Sequence, residues 1–229
     1  MNAEAIPGGS AGLLRPVTRP VTLGQSVYEA LVEQVVAGRL RPGQHLVETE
    51  LARQLGVSRQ PVREALHRLQ AEGWIKLRPN EGAFVHVPTG QEVDELLDVR
   101  ELLEAEAARL AAQKAAPSQV ARLRAICREG EAAVKNSDAQ RFVAVNTDFH
   151  AALADIARNT ILAGLAEIVI RRARWYYRLV APSRMRESSA EHLGIAEAIA
   201  EADGERAGER ARAHIERTRM AYHRGVVQG

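Results

Sequence analysis

The chain has 229 residues, a formal net charge of +2 and a single cysteine, Cys127. That length accommodates two modest domains, the small net charge excludes a generic polycation, and a lone cysteine excludes an internal disulfide. The absence of a long apolar run and of a signal-peptide core leads to the expectation of a soluble cytoplasmic protein with no membrane partner.

Residues 1–20 contain Pro7, Gly8, Gly9, Gly12, Pro16 and Pro20 and are expected to form a flexible arm. A first helix is expected after Thr22, where Thr22-Leu-Gly-Gln25 has the pattern of a capping box, and to run to about Gly38. Val27, Leu31, Val35 and Val36 form its core face, and Arg41-Pro-Gly43 turns the chain. Leu51, Ala52 and Leu55 then mark a short helix that Gly56 can end in a left-handed conformation. Ser58 is the expected N-cap of the next helix, with Pro61 in its first turn, where a missing N–H costs little. Val62, Ala65, Leu66 and Leu69 face inward, leaving Arg59, Gln60 and Arg63 on the other side near the helix N-terminus. That arrangement suits a helix whose first residues reach base edges in a DNA major groove. Trp74–Arg78 and Ala83–Val87 are β-prone and joined by Pro79-Asn-Glu-Gly82, the turn chemistry of a hairpin wing. Two basic residues of the arm, Arg15 and Arg19, are either a solvated tail or a further DNA contact.

Residues 22–87 resemble the winged helix-turn-helix domain of the GntR family of bacterial transcription regulators. The string Gly56-Val-Ser-Arg-Gln-Pro-Val-Arg-Glu-Ala-Leu66, followed by Leu69, Glu72 and Gly73, carries the resemblance. It implies DNA contacts by Arg59, Arg63 and the wing glycine Gly82. Thr49 stands where some members carry an arginine; with Ser58 and Gln60 it completes the expected DNA-contacting set.

After Pro88-Thr-Gly90 the pattern is helical throughout. Six segments are expected near 91–115, 117–136, 138–157, 159–183, 187–202 and 204–226, punctuated by Pro117, Asn136-Ser137, Asn159, Pro182 and Gly204. Short connections make an antiparallel bundle the economical arrangement. The fold class is therefore mainly α: an arm over 1–20, a winged helix-turn-helix domain over 21–88, and an all-helical effector-binding and dimerisation domain over 89–229. Cys127, beside Leu123 and Ile126, reads as a buried structural thiol.

Several polar residues fall on apolar faces of these helices. Asn146 and His150 share a stripe with Phe142, Phe149 and Leu153; His192 aligns with Ile195 and Ile199; His214 aligns with Ala207, Ala211 and Ile215. Burying all four is costly unless each finds a partner, and a single divalent metal would serve them together. Three separately hydrogen-bonded histidines are the alternative. Nitrogen-rich ligation favours zinc or nickel and leaves manganese open.

The segment from 91 to about 226 is similar to the FCD effector domain of the FadR-type branch, in its six-helix VanR-like form. Val99-Arg-Glu-Leu-Leu-Glu104 and Asp148-Phe-His150 carry the likeness. The resemblance implies a metal on an aspartate and three histidines, which here fall on Asn146, His150, His192 and His214. Asn146 brings no charge, and Asp148 points about 200° away around the helix. Arg100 is either paired with Glu104 one turn on or a guanidinium fork for a ligand carboxylate. Arg172 belongs to a solvated face or turns inward as a second effector residue. The sequence thus points to a homodimeric regulator, a repressor, reading a pseudo-palindromic duplex operator under control of a small carboxylate. A metal-only sensor and a zinc metalloenzyme are the rivals.

Overall fold

The computed structural model describes residues 22–227, so the arm expected at 1–20 lies outside them. Helix α1 spans Leu23–Val36 and starts because Thr22, in extended conformation, accepts a hydrogen bond from the Gln25 N–H at 3.2 Å. The Gln25 side chain bonds Glu29 at 2.6 Å instead of reaching back, so only half of the expected capping box forms. Helix α2 (Glu48–Leu55) ends on Gly56 at φ +65, and α3 (Arg59–Ala71) follows. Ser58 has N-cap backbone angles, but its hydroxyl makes no capping bond.

Three antiparallel strands cover these helices in the order β1-β3-β2: β1 is His45–Leu46, β2 Ile75–Arg78 and β3 Gly82–Val85. Ile75 sits opposite Val85 and Leu46 opposite Ala83, and all four are buried against the helices. The alternation matches the pleat, so one face meets the helical core.

The remaining described residues form five helices: α4 (Gly90–Lys114), α5 (Pro117–Lys135), α6 (Ala139–Ile156), α7 (Thr160–Ala200) and α8 (Gly204–Val227). A full capping box opens α4: Thr89 accepts from the Glu92 N–H at 3.2 Å and the Glu92 carboxylate accepts from the Thr89 N–H at 2.8 Å. The segments expected at 159–183 and 187–202 are one helix of 41 residues with Pro182 inside it. An interior proline costs about 3 kcal/mol in a bare helix. Here Tyr176, Tyr177 and Val180 before it, and Arg184 and Ser188 after it, are all buried, and that packing offsets the cost.

One apolar cluster runs from the helices and sheet of the head into the bundle through Val93, Leu97, Trp175, Tyr176 and Tyr177. Trp74 and Trp175 meet with ring centroids 5.7 Å apart. Arg172, expected to solvate or to face an effector, does neither. Its guanidinium donates to the backbone carbonyls of Glu72 and Gly73 at the end of α3 and lies over the Trp74 ring, 4.5 Å from its centroid. Free carbonyls at a helix C-terminus attract cations, and this pairing places Arg172 at the junction of head and bundle. Arg178 caps α1 in the same manner, donating to the Val36 carbonyl at 3.3 Å. Among the described residues no helix is long and apolar enough to cross a membrane.

Candidate nucleic-acid interface and candidate metal centre

Between α3 and the wing lies a concavity of about 530 Å³ whose lining includes Thr49, Arg59, Arg63 and Gly82. The fold thus brings four of the six expected DNA residues to one hollow. Ser58 and Gln60 stand outside its lining, and Gln60 donates to Glu64 at 2.9 Å. Gly82 has φ +99, and a Cβ there would come within 2.8 Å of the His45 ring, so close backbone approach at the wing depends on glycine. His45, stacked on Phe84, and His67 also line the hollow; neither stood out in the sequence.

Glu48 was not anticipated either. Its carboxylate accepts from Arg59 at 3.2 Å and from Arg63 at 3.1 Å, and these arginines hold it below the usual carboxylate range, Arg63 contributing most. The arginine nitrogens now bonded to Glu48 would have to leave it to meet a base edge or a phosphate. Glu48→Gln is therefore expected to raise DNA affinity about two- to fivefold for operator and non-operator duplexes alike. Arg63→Ala, by contrast, should weaken operator binding roughly tenfold or more. Fluorescence anisotropy with labelled duplexes measures both; an unaltered affinity in Glu48→Gln would mean that the ion pair does not compete with DNA.

In the bundle, α6, α7 and α8 carry His150, His192 and His214 to one point. All three are buried, and one ring nitrogen from each lies within 4.8 Å of the others. Asn146, one turn before His150 on the same helix, is also buried. Asp148 is exposed, as its angle on the helix requires. His192 is fixed by stacking on Phe149, centroids 4.2 Å apart. His214 is fixed by its Nδ1, 2.8 Å from Glu191, and His150 Nδ1 stands 2.9 Å from Glu104, short but poorly aligned for a hydrogen bond. Asn146 Oδ1 and the Nε2 atoms of His150, His192 and His214 have no hydrogen-bond partner among the described residues. Orphaned buried polar atoms are rare, and those of three converging histidines, with the Asn146 oxygen one turn before His150, match what a metal ion needs: carboxylates on the far side of two rings and unpartnered nitrogens left for the ion.

Glu104 and Glu191 add no net charge. The Arg100 Nε donates to Glu104 at 2.7 Å, so the internal pairing of Arg100 is formed, and Arg184 donates to Glu191 at 2.5 Å. Burial alone would raise the Glu104 carboxyl; Arg100 and His150 outweigh it and bring it down to about 2. Arg100 is the permanent cation of that trio, because burial lowers His150 despite its attraction to Glu104. Arg100 also borders a cavity lined by Leu97, Tyr176, Tyr177 and Tyr222 whose free space is about 10 Å³, room for one water at most.

Burial likewise puts His192 well below its ordinary value and His214 down to about 4. Unfolded imidazoles titrate near 6.5. Between about 6.5 and 4 the unfolded chain binds protons that the native rings refuse. Stability is then complete above the upper value and is lost as pH falls through the lower. For chelator-treated protein, His214 alone should remove on the order of 3 kcal/mol across that window. Urea midpoints at neutral pH and near pH 5 test this, and equal midpoints would contradict it. Cys127 is buried, its thiol pushed up to about 12 chiefly by desolvation, so it is inert as the sequence suggested.

Residues 23–85 match the family model described as bacterial regulatory proteins, gntR family, and residues 95–217 match the model of the FCD domain. The chain belongs to the GntR family. The Nta operon transcriptional regulator of Aminobacter aminovorans is 32% identical over 182 residues, covering 80% of this chain and 86% of that one. The HTH-type transcriptional repressor RspR of Escherichia coli is 32% identical over 140 residues, 61% of this chain and 60% of that one. The solved structure of E. coli McbR/YncC superposes with a TM-score of 0.76 at 25% identity, over 90% of this chain and 99% of the other. This GntR-family protein is thus a DNA-binding transcription regulator with an FCD domain, and not an enzyme.

Proposed function

We propose that this regulator is a homodimeric repressor of a pseudo-palindromic operator, released by a small carboxylate bound beside a divalent metal in the bundle. Arg59 and Arg63 read the major groove, while Thr49 and the wing at Gly82 approach the backbone. The metal sits on His150, His192 and His214 with Asn146 as fourth ligand, zinc or nickel being favoured and manganese admissible. The observation that carries this reading is the convergence of three buried histidines with unpartnered ring nitrogens, the orphaned Asn146 oxygen standing one turn before His150. A seam for the second copy is offered by α7, where Ile161, Leu165 and Ile168 form an exposed apolar stripe, Ile161 at 74% exposure. The relative RspR is a transcriptional repressor, which supports repression.

Charge supports an anionic effector. With Glu104 neutralised by Arg100 and Glu191 by Arg184, neutral imidazoles and an amide leave the metal's double charge uncompensated. The Nε of Arg100 is taken by Glu104, and its remaining nitrogens make no hydrogen bond among the described residues, so they can meet a carboxylate. Asn146→Asp should therefore tighten metal binding and weaken binding of organic acids. Calorimetry of metal-loaded protein against a panel of such acids reads both, and an acid bound more tightly by the aspartate variant would contradict the charge argument. A metal-only sensor is favoured by one observation, the tightness of the cavity beside Arg100. Saturable binding of any acid from the panel, lost in Arg100→Lys, decides for the carboxylate effector; no binding at all decides for metal alone.

A further inference from the structure

A second cleft lies on the outer face of the bundle, between the latter half of α7 and the end of α8. It encloses about 420 Å³ and presents Arg184, Arg217 and Arg224, with Glu187 and Glu191, beside the apolar Met220. Its hydrogen bonding is lopsided. Glu191 is fully engaged: one oxygen takes Arg184 at 2.5 Å and His214 at 2.8 Å, the other takes Arg217 at 3.2 Å. Arg184 is only 4% exposed, yet its Nε has no partner among the described residues. Arg224 and Glu187 make no hydrogen bond or ion pair among those residues, and Glu187 is exposed. Each guanidinium carries five N–H donors, so the three together exceed what the carboxylates of Glu187 and Glu191 accept. Glu187 leaves one carboxylate unpaired in the same cleft, so three guanidiniums face two carboxylates and one positive charge is in excess.

We propose that this cleft binds a small oxyanion, a carboxylate or a phosphate, gripped by Arg217 and Arg224 at the rim over the Arg184–Glu191 floor. The planar forks of the arginines suit two oxygens on one atom, and the volume suits a molecule of a few carbon atoms. The cleft adjoins the histidine centre through Glu191, whose carboxylate also accepts from His214, but the anion's own contacts are the outer arginines. It needs no metal, and Arg100 is not part of it.

The test uses full-length protein and two probes, succinate and inorganic phosphate, titrated calorimetrically at constant ionic strength with and without chelator. At least one should bind saturably with Kd below about 1 mM, unaffected by chelator. Arg217→Ala and Arg224→Ala should each weaken it about tenfold. Both residues are at the rim, so the fold survives their removal. Which probe binds identifies the anion as carboxylate or phosphate. Saturable binding of neither, or binding that persists in the double variant, overturns the proposal. Binding that is lost in Arg100→Lys or with chelator, and indifferent to Arg217 and Arg224, assigns the anion to the histidine centre and also overturns it.

Discussion

Replacing His192 with alanine should abolish the stabilisation that added zinc or nickel gives this protein. Metal that binds only the native state stabilises by mass action, about 4 kcal/mol at a thousandfold excess over Kd, on the order of 10 °C in Tm for a chain of this size. His192 contributes one of the unpartnered ring nitrogens and also stacks on Phe149, so its loss lowers stability in two ways. The two separate cleanly. Lost stacking lowers the Tm of chelator-treated and metal-treated protein equally, whereas lost ligation removes the difference between them. A metal-induced rise of unchanged size in His192→Ala would return the histidines to a structural role.

Arg100→Met should be as damaging, for a different reason. Arg100 and Glu104 are both buried, and removing the arginine leaves a carboxylate in a dry interior with only a poorly aligned neutral imidazole beside it. Stranding one member of a buried pair costs about 3–5 kcal/mol. The double change Arg100→Met with Glu104→Leu should recover most of that loss, because no charge then remains to solvate. Urea unfolding of the three variants measures the cycle. Arg100→Met alone as stable as the parent protein would show that the Glu104 carboxyl takes up a proton instead, and would remove the ion pair from the account of this site.

Local chemistry made much of this readable from residues alone. Gly56 ends α2 in the left-handed conformation that glycine adopts without strain, and the spacing Val62, Ala65, Leu66, Leu69 fixes which side of α3 faces out. Asn146, His150, His192 and His214 announced themselves by standing on apolar faces. What escaped depends on partners distant in sequence. The Arg100–Glu104 pair was legible from its one-turn spacing, but the approach of Glu104 to His150 and of Glu191 to His214, each on another helix, was not. Arg172 finds its acceptors 99 and 100 residues away, which no periodicity reveals. β1 is two residues long, too short for an alternation. Pro182 misled because its local penalty is large and the tertiary packing that outweighs it is invisible in the string. The expected N-cap bond of Ser58 is absent although its backbone has N-cap angles.

The unbroken course of α7 has a mechanical consequence. It carries Glu191 and His192 near one end and, twenty residues earlier, the Arg172 and Trp175 that seat the DNA head. At 1.5 Å per residue these points are about 30 Å apart on one rod. A tilt of about 5° at the histidine end therefore displaces the far end by roughly 2–3 Å, enough to shift a recognition helix against a groove. Pro182 sits midway, where the missing N–H softens the rod in bending but not in length. A tilt imposed at the histidine centre would thus arrive at the head as an angle, scaled by the stiffness at one proline.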